Sequence, residues 1–215
     1  MRTPFRSLAA AAAAAAALTL AAPAASALSP GDGFNNYGEA WTSCTIGAVG
    51  TYSGPDGTYP AAITAGHCAA LGDRITGMDG QHIGHVTHSV DEGGGAYLSP
   101  RRDFAVIRLA PGVQGHSAQH RTGGGIGLAT KDGRITGQTP VLIFADDGTQ
   151  VYGLTPALHV GDSGANLYGA GGEHIGTASN YIVPGWNDHL VAYQRTDSGA
   201  LHTGGWFTPG NVTGY

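Results

Sequence analysis

TAGHC, Thr64 to Cys68, follows Tyr59-Pro60-Ala61-Ala62-Ile63 and sets a histidine directly before one of only two cysteines in a chain of 215 residues. The run ahead of it is aromatic and β-branched, as in a strand. If Cys68 is bonded to a neighbouring strand, His67 is an imidazole held in one place. Cys44 is the other cysteine, and the two can pair in only one intramolecular way. Closing that loop contributes on the order of 3 to 4 kcal/mol in the chain-entropy model. The alternative is a pair of buried thiols, and the compartment decides between them.

The N-terminus speaks for export. Met1-Arg2-Thr3-Pro4-Phe5-Arg6 is a basic end, an alanine-rich apolar tract runs to Leu20, and Ala25-Ser26-Ala27 is a small-x-small cleavage site. This is the layout of a secretory signal peptide over residues 1–27. An uncleaved anchor would continue apolar for about 20 residues, and Pro23 with the small residues after it interrupts that. Residues 28–215 then form the mature protein, secreted and extracellular, with no membrane attachment after cleavage.

Fifteen acidic residues outnumber ten basic ones, of which Arg2 and Arg6 leave with the signal. A surface of that sign repels phosphate backbones and excludes nucleic acid as a partner. The 37 glycines raise the question of disorder, which an apolar share of 41% answers in favour of a folded, turn-rich chain.

No segment after residue 27 holds a helical apolar period for more than two turns. Short apolar runs bounded by glycine recur instead, at 44–52, 59–65, 82–90, 104–109, 133–144, 150–154, 166–169, 174–183 and 190–193. Many short strands at near-regular spacing predict an all-β sandwich or barrel. PGVQGHSAQHRTGGG, from Pro111 to Gly125, is the linker candidate and divides the mature chain into strand-rich halves, 28–115 and 116–215. A single sandwich with a long loop there is the competing arrangement.

HVGDSGANLYG, residues 159–169, supplies a nucleophile candidate. Glycines around Asp162-Ser163 permit a tight turn whose backbone N–H groups can hold an oxyanion, although Gly-Asp-Ser-Gly is also ordinary turn chemistry. Ser163 needs a base and the base needs a carboxylate. His67 offers the first, and Asp103, at the mouth of the strand DFAVIRL, offers the second. Taken singly, a loop histidine and a turn carboxylate beside Arg101 and Arg102 are the better accounts of them.

In the order His67, Asp103, Ser163, the three segments TAGHC, DFAVIRL and GDSG resemble the signature segments of the chymotrypsin-like serine proteases. The order separates them from α/β-hydrolases and subtilisins. Cys44-Thr45-Ile46-Gly47, Thr130 to Gly137 and Val151-Tyr152-Gly153 are similar to strand and loop patterns of the small secreted bacterial, streptogrisin-like branch. The likeness spans roughly residues 38 to 183.

The resemblance implies two six-stranded antiparallel β-barrels with the active site in the cleft between them, and a monomer acting on protein or peptide substrates without a cofactor or metal. It implies His67, Asp103 and Ser163 as the triad, the N–H groups of Gly161 and Ser163 as the oxyanion hole, and the Cys44–Cys68 disulfide. For substrate binding it points to Ala157, Leu158, Val160, Ser179, Asn180 and Tyr181. Ala157 would lie at the pocket base, where an aspartate would favour Lys and Arg; Tyr181 would narrow the pocket toward small apolar side chains, and Ser179 would support Asp103. A serine esterase and a catalytically idle binding module are the alternatives on the same fold.

Three features depart from the family pattern. Ala165-Asn166 follow GDSG where a second glycine is usual. No Ile-Val-Gly-Gly start supplies an amine for Asp162, which leaves Lys131 or Arg134 as its cation. Leu28 to Ser43 is too short for a folded pro-domain, which implies unassisted folding or a relaxed member of weak activity. His82, His85 and His88 lack a carboxylate or cysteine to complete a metal set and read as surface histidines. Asn211-Val212-Thr213 matches a glycosylation sequon.

Overall fold

In a computed structural model, residues 27–37, 42–93, 101–117, 126–130, 141–155, 158–181 and 189–215 are described. Two curled antiparallel sheets carry the fold. The first half of the chain gives β1 (Gly33–Asn36), β2 (Thr42–Thr45), β3 (Ala48–Gly54), β4 (Gly57–Thr64), a 3₁₀ turn (Gly66–Cys68), β5 (Arg74–Gly77), β6 (His82–Asp91), β7 (Asp103–Leu109) and β8 (Gln114–Gly115). The second gives β9 (Gly127–Ala129), β10 (Leu142–Asp146), β11 (Gln150–Leu154), β12 (Asn166–Tyr168), β13 (His174–Tyr181), β14 (Leu190–Arg195), a helix α1 (Thr196–His202), β15 (Trp206–Pro209) and β16 (Val212–Thr213).

The first sheet runs β15-β3-β4-β7-β6-β5-β1-β2 and the second β10-β11-β14-β13-β12-β9, with β16 beside β8 as a separate pair. The expected two-barrel architecture is present, and the first sheet reaches eight strands because β1 and the late strand β15 join it. Residues 206–209 therefore lie against β3, with Trp206 opposite Ser53 and Pro209 opposite Gly50. Part of the stretch from Leu28 to Ser43 is built into the first half: Leu28 bridges Gly115 of β8 in parallel, and β1 lies between β2 and β5 in the first sheet.

β4 and β7 are nearly continuous apolar runs because both of their faces are covered. Ala62, Ala105 and Ile107 point into a core with Phe34, Ile46, Val49 and Ile75. Ile63, Phe104 and Val106 face the other way, packing with Tyr52, Tyr59 and Ala200 of α1. Pro60 is tolerated because β4 meets β7 only from Ala61 onward. The second sheet curls around Leu128, Leu167, Ala178, Val191 and Tyr193.

The apolar run 44–52 is broken into β2 and β3 at Ile46-Gly47. The chain there passes close to the second half: a side chain at Gly47 would come within 2.3 Å of Thr177 Cγ2 and 2.7 Å of the Gly164 carbonyl. Cys44 and Cys68 form the expected disulfide, with Cα atoms 6.1 Å apart, and both are buried. Cys44→Ala/Cys68→Ala should destabilise the protein by about 3 kcal/mol, read as a lower urea midpoint with a steeper slope, because the uncrosslinked unfolded chain exposes more surface. An unchanged midpoint would mean that the crosslink constrains nothing.

Candidate active site

The histidine segment is pressed into the first sheet. A side chain at Gly66 would come within 2.0 Å of the Val90 carbonyl and 2.8 Å of the Phe104 nitrogen, so only glycine lets the 3₁₀ turn settle across β6 and β7. Cys68 anchors the other end of that turn through the disulfide. His67, between them, has a side chain about one-third exposed, at 34%. A ring nitrogen of His67 and the two sulfurs lie within 4.8 Å of one another; the sulfurs, bonded together, offer no ligand to a metal.

Asp103 opens β7 and is 5% exposed. Its carboxylate accepts from the His67 backbone N–H at 2.8 Å and meets His67 Nδ1 at 2.8 Å. A carboxylate only accepts, so Nδ1 carries the proton in this contact and Nε2 presents a lone pair. Ser179 Oγ donates to the same carboxylate at 2.5 Å, and Gln194 Oε1 accepts from the Asp103 N–H at 3.0 Å. Burial works against both charges, yet the His67 contacts, then Ser179, lower the Asp103 pKa. Burial likewise pulls His67 down, but the hydrogen bond and charge of Asp103, with the charge of Asp91 added, raise its pKa above the ordinary 6.5.

Activity and pair stability should therefore run in opposite directions with pH. The raised His67 pKa stabilises the fold fully below pH 6.5, and that contribution disappears as pH rises through the folded-state value. The lowered Asp103 pKa stabilises above 3.8, and its contribution is lost as pH falls through the folded value. A base must be neutral to accept a proton, so the acid limb of a kcat/KM profile should have its midpoint above pH 6.5. A midpoint below that value would contradict the assignment.

Ser179 reaches Asp103 because the strand carrying it is irregular. The β13–β14 register shifts between Ala178 and Asn180, and such a bulge re-aims the side chain at its centre. Asn180, opposite Ala192, is half-buried.

The GDSG loop is built from turns and fastened at both ends. Within it, the Asp162 N–H donates to the His159 carbonyl at 3.0 Å and the Ala165 N–H to the Asp162 carbonyl at 2.9 Å. Asp162 Oδ2 accepts from the His159 N–H at 2.7 Å. The Gly164 N–H reaches the Ala178 carbonyl at 2.7 Å, and the Ala178 N–H returns to the Ala165 carbonyl at 2.8 Å. Gly164 has φ +84° and its Cα lies so near Thr64 Oγ1 and the Thr45 carbonyl that a side chain would overlap both, at 2.1 and 2.3 Å. The carbonyls of Gly161 and Ser163 are both held by Thr45 of β2, through Oγ1 at 2.8 Å and through its N–H at 2.8 Å. Neither the Gly161 nor the Ser163 N–H has a partner among the described residues. No hydrogen bond joins the Ser163 hydroxyl to the His67 ring.

No family model matches the chain, and no curated protein sequence does. Solved structures of bacterial proteases do match. Protease A of Thermobifida fusca superposes with a TM-score of 0.55 at 19% identity, over 86% of this chain and 100% of that one. The fold is chymotrypsin-like. A chymotrypsin of Cellulomonas bogoriensis gives 0.53 at 19% identity, over 85% of this chain and 98% of that one. The Nocardiopsis protease gives 0.53 at 17%, over 84% and 98%.

On this chymotrypsin-like fold the other expected site residues fall unevenly. Leu158 points into the second core, while Val160, two residues on, is 96% exposed. Ala157, Lys131, Arg134 and the side chain of Tyr181 lie outside the described residues. His82 contacts Arg74 Nε at 3.2 Å, His88 lies against the Tyr52 ring with centroids 5.0 Å apart, and His85 is exposed. Among the described residues no helix is long and apolar enough to cross a membrane.

Sequence reasoning missed Thr45, Gln194 and Asp91. Thr45 stood next to a cysteine already singled out, so its position was available. Gln194 carried no signal, because its amide meets Asp103 across 91 residues. Asp91 is opposite Asp103 in the β6–β7 register, which only the pairing reveals.

Proposed function

We propose that the protein is a secreted serine endopeptidase that cleaves peptide bonds through an acyl-enzyme. The observation that carries this reading is the buried Asp103 carboxylate locked onto His67 Nδ1, with strand β2 tying the His67 turn, through Cys44, to the Ser163 loop, through Thr45. The protease identity of the solved structures with this fold supports peptide substrates, and the N-terminal signal segment supports secretion.

In this mechanism Ser163 Oγ attacks the scissile carbonyl while His67 Nε2 takes its proton. Asp103 keeps the ring in the required tautomer and stabilises the imidazolium, without itself becoming protonated. The N–H groups of Gly161 and Ser163 receive the oxyanion, a role for which unpartnered donors are suited. His67 then protonates the leaving amine, and a water, deprotonated by the same nitrogen, releases the acyl group.

For specificity, Ala157 and Tyr181, assigned to the pocket by the resemblance alone, favour small or apolar side chains, with Val160 and Asn180 as further substrate-binding candidates; Leu158 is committed to the second core and Ser179 to Asp103. No acid at position 157 would pair a buried Lys or Arg.

A fluorophosphonate probe should label the protein once per chain, at Ser163, and Ser163→Ala should abolish labelling. Absence of label on the folded wild-type protein, or label retained in the variant, would refute the endopeptidase reading.

A further inference from the structure

The GDSG loop leaves the buried Gly161 carbonyl outside its own hydrogen bonds, and an unassigned residue covers it. Gly161 sits at φ +94°, in a region open to glycine but not fixed by it, since glycine moves between positive and negative φ at little cost. The Gly161 carbonyl shares a planar peptide with the Asp162 N–H, which donates to the His159 carbonyl, so that peptide is held at its nitrogen end and needs a partner for its oxygen. Its partner is Thr45 Oγ1, at 2.8 Å and buried.

We infer that Thr45 is a positioning residue for the oxyanion hole: its hydroxyl holds the Gly161–Asp162 peptide, and its N–H holds the Ser163 carbonyl, in the orientation that leaves the Gly161 and Ser163 N–H groups aimed at the substrate. This rests on the endopeptidase reading above.

The anchor is itself rigid. Thr45 is fully buried, and its carbonyl accepts from Thr64 Oγ1 at 2.8 Å. It pairs with Gly33 across β1 and β2 and follows Cys44 of the disulfide directly. The same short strand therefore fixes the base on one side and the oxyanion donors on the other. Gly164 must be bare for this to work, because its Cα lies against the Thr45 carbonyl and the Thr64 hydroxyl that support the anchor. Without the Thr45 hydroxyl, the buried Gly161 carbonyl has no other partner among the described residues. Turning that peptide toward another donor would break the Asp162 N–H bond to the His159 carbonyl, so the loop backbone shifts instead and carries the adjoining Gly161 and Ser163 N–H groups off the reacting oxygen.

Thr45→Val removes the hydroxyl at nearly constant shape, and Thr45→Ser restores it. On a chromogenic peptide ester, at a temperature where all variants are folded, Thr45→Val should lower kcat by about 10- to 100-fold with KM little changed. Binding of a peptide boronate, whose adduct places an oxygen in the oxyanion hole, should weaken by the same factor, and Thr45→Ser should regain most of both. A residue important only for stability would leave kcat and boronate affinity intact below the melting transition; Ile75→Val, in the first core, provides that comparison. If the valine variant does not fold, Thr45→Ala, which crowds nothing, takes its place. A kcat within about twofold of wild type, or equal losses in KM and boronate affinity, would overturn the inference and leave the endopeptidase reading standing. A folded wild-type protein that neither turns over nor takes the fluorophosphonate label would remove both.

Discussion

Ser163→Ala is expected to lower kcat on a peptide substrate by about 10⁶-fold while leaving KM and thermal stability close to wild type. The chemical step loses its only nucleophile, and residual turnover would be that of water attacking a carbonyl polarised by the Gly161 and Ser163 N–H groups. The fold should not notice the change. Ser163 contributes to the loop through its carbonyl, which accepts from Thr45, and alanine keeps that carbonyl. His67→Ala should cost about as much, and the double variant scarcely more, because nucleophile and base act as a unit. Single-turnover kinetics at saturating substrate would show this. A variant that keeps even a hundredth of wild-type kcat would mean that another residue attacks the substrate.

Asp103→Asn should cost about 10⁴-fold in kcat at neutral pH. The carboxylate accepts from three directions, the His67 N–H, His67 Nδ1 and the Ser179 hydroxyl. An amide of the same shape has one acceptor oxygen. If its NH₂ faces the ring, Nδ1 must become the acceptor, the proton moves to Nε2, and the base can no longer accept from Ser163. The variant also loses the charge that raises the His67 pKa, so the acid limb of its residual activity should move to lower pH. A small loss with an unmoved limb would show that His67 takes its tautomer from elsewhere.

The chemistry-bearing segments were legible because they are local. TAGHC, DFAVIRL and GDSG each occupy one short stretch, and β7 and β11 begin and end almost where their apolar runs do. Signals that depend on pairing were not legible. β1, with sequence GFNN, has little β-branched or aromatic character, and β5, with RITG, is only four residues long among glycines; both take their form from being hydrogen-bonded between neighbours. The helix α1 was hidden by Gly199, which lowers helix propensity but lets the helix lie against Phe104, where a side chain would come within 2.5 Å of the ring. In the site, the residues of the proposed triad were named from sequence. The residues that hold them, Thr45 and Gln194, come from strands distant in the chain, and no pattern within either stretch distinguishes them.

The late strand β15 has a consequence for biosynthesis. A chain emerging in order from the ribosome presents β3 long before Trp206 to Pro209 exist, so one border of the first sheet stays open until those residues arrive. An unpaired border of that kind invites association with other nascent chains. Molecules truncated shortly before residue 206 should accordingly be recovered as aggregates, with the C-terminal tail serving as the clasp that completes the first lobe.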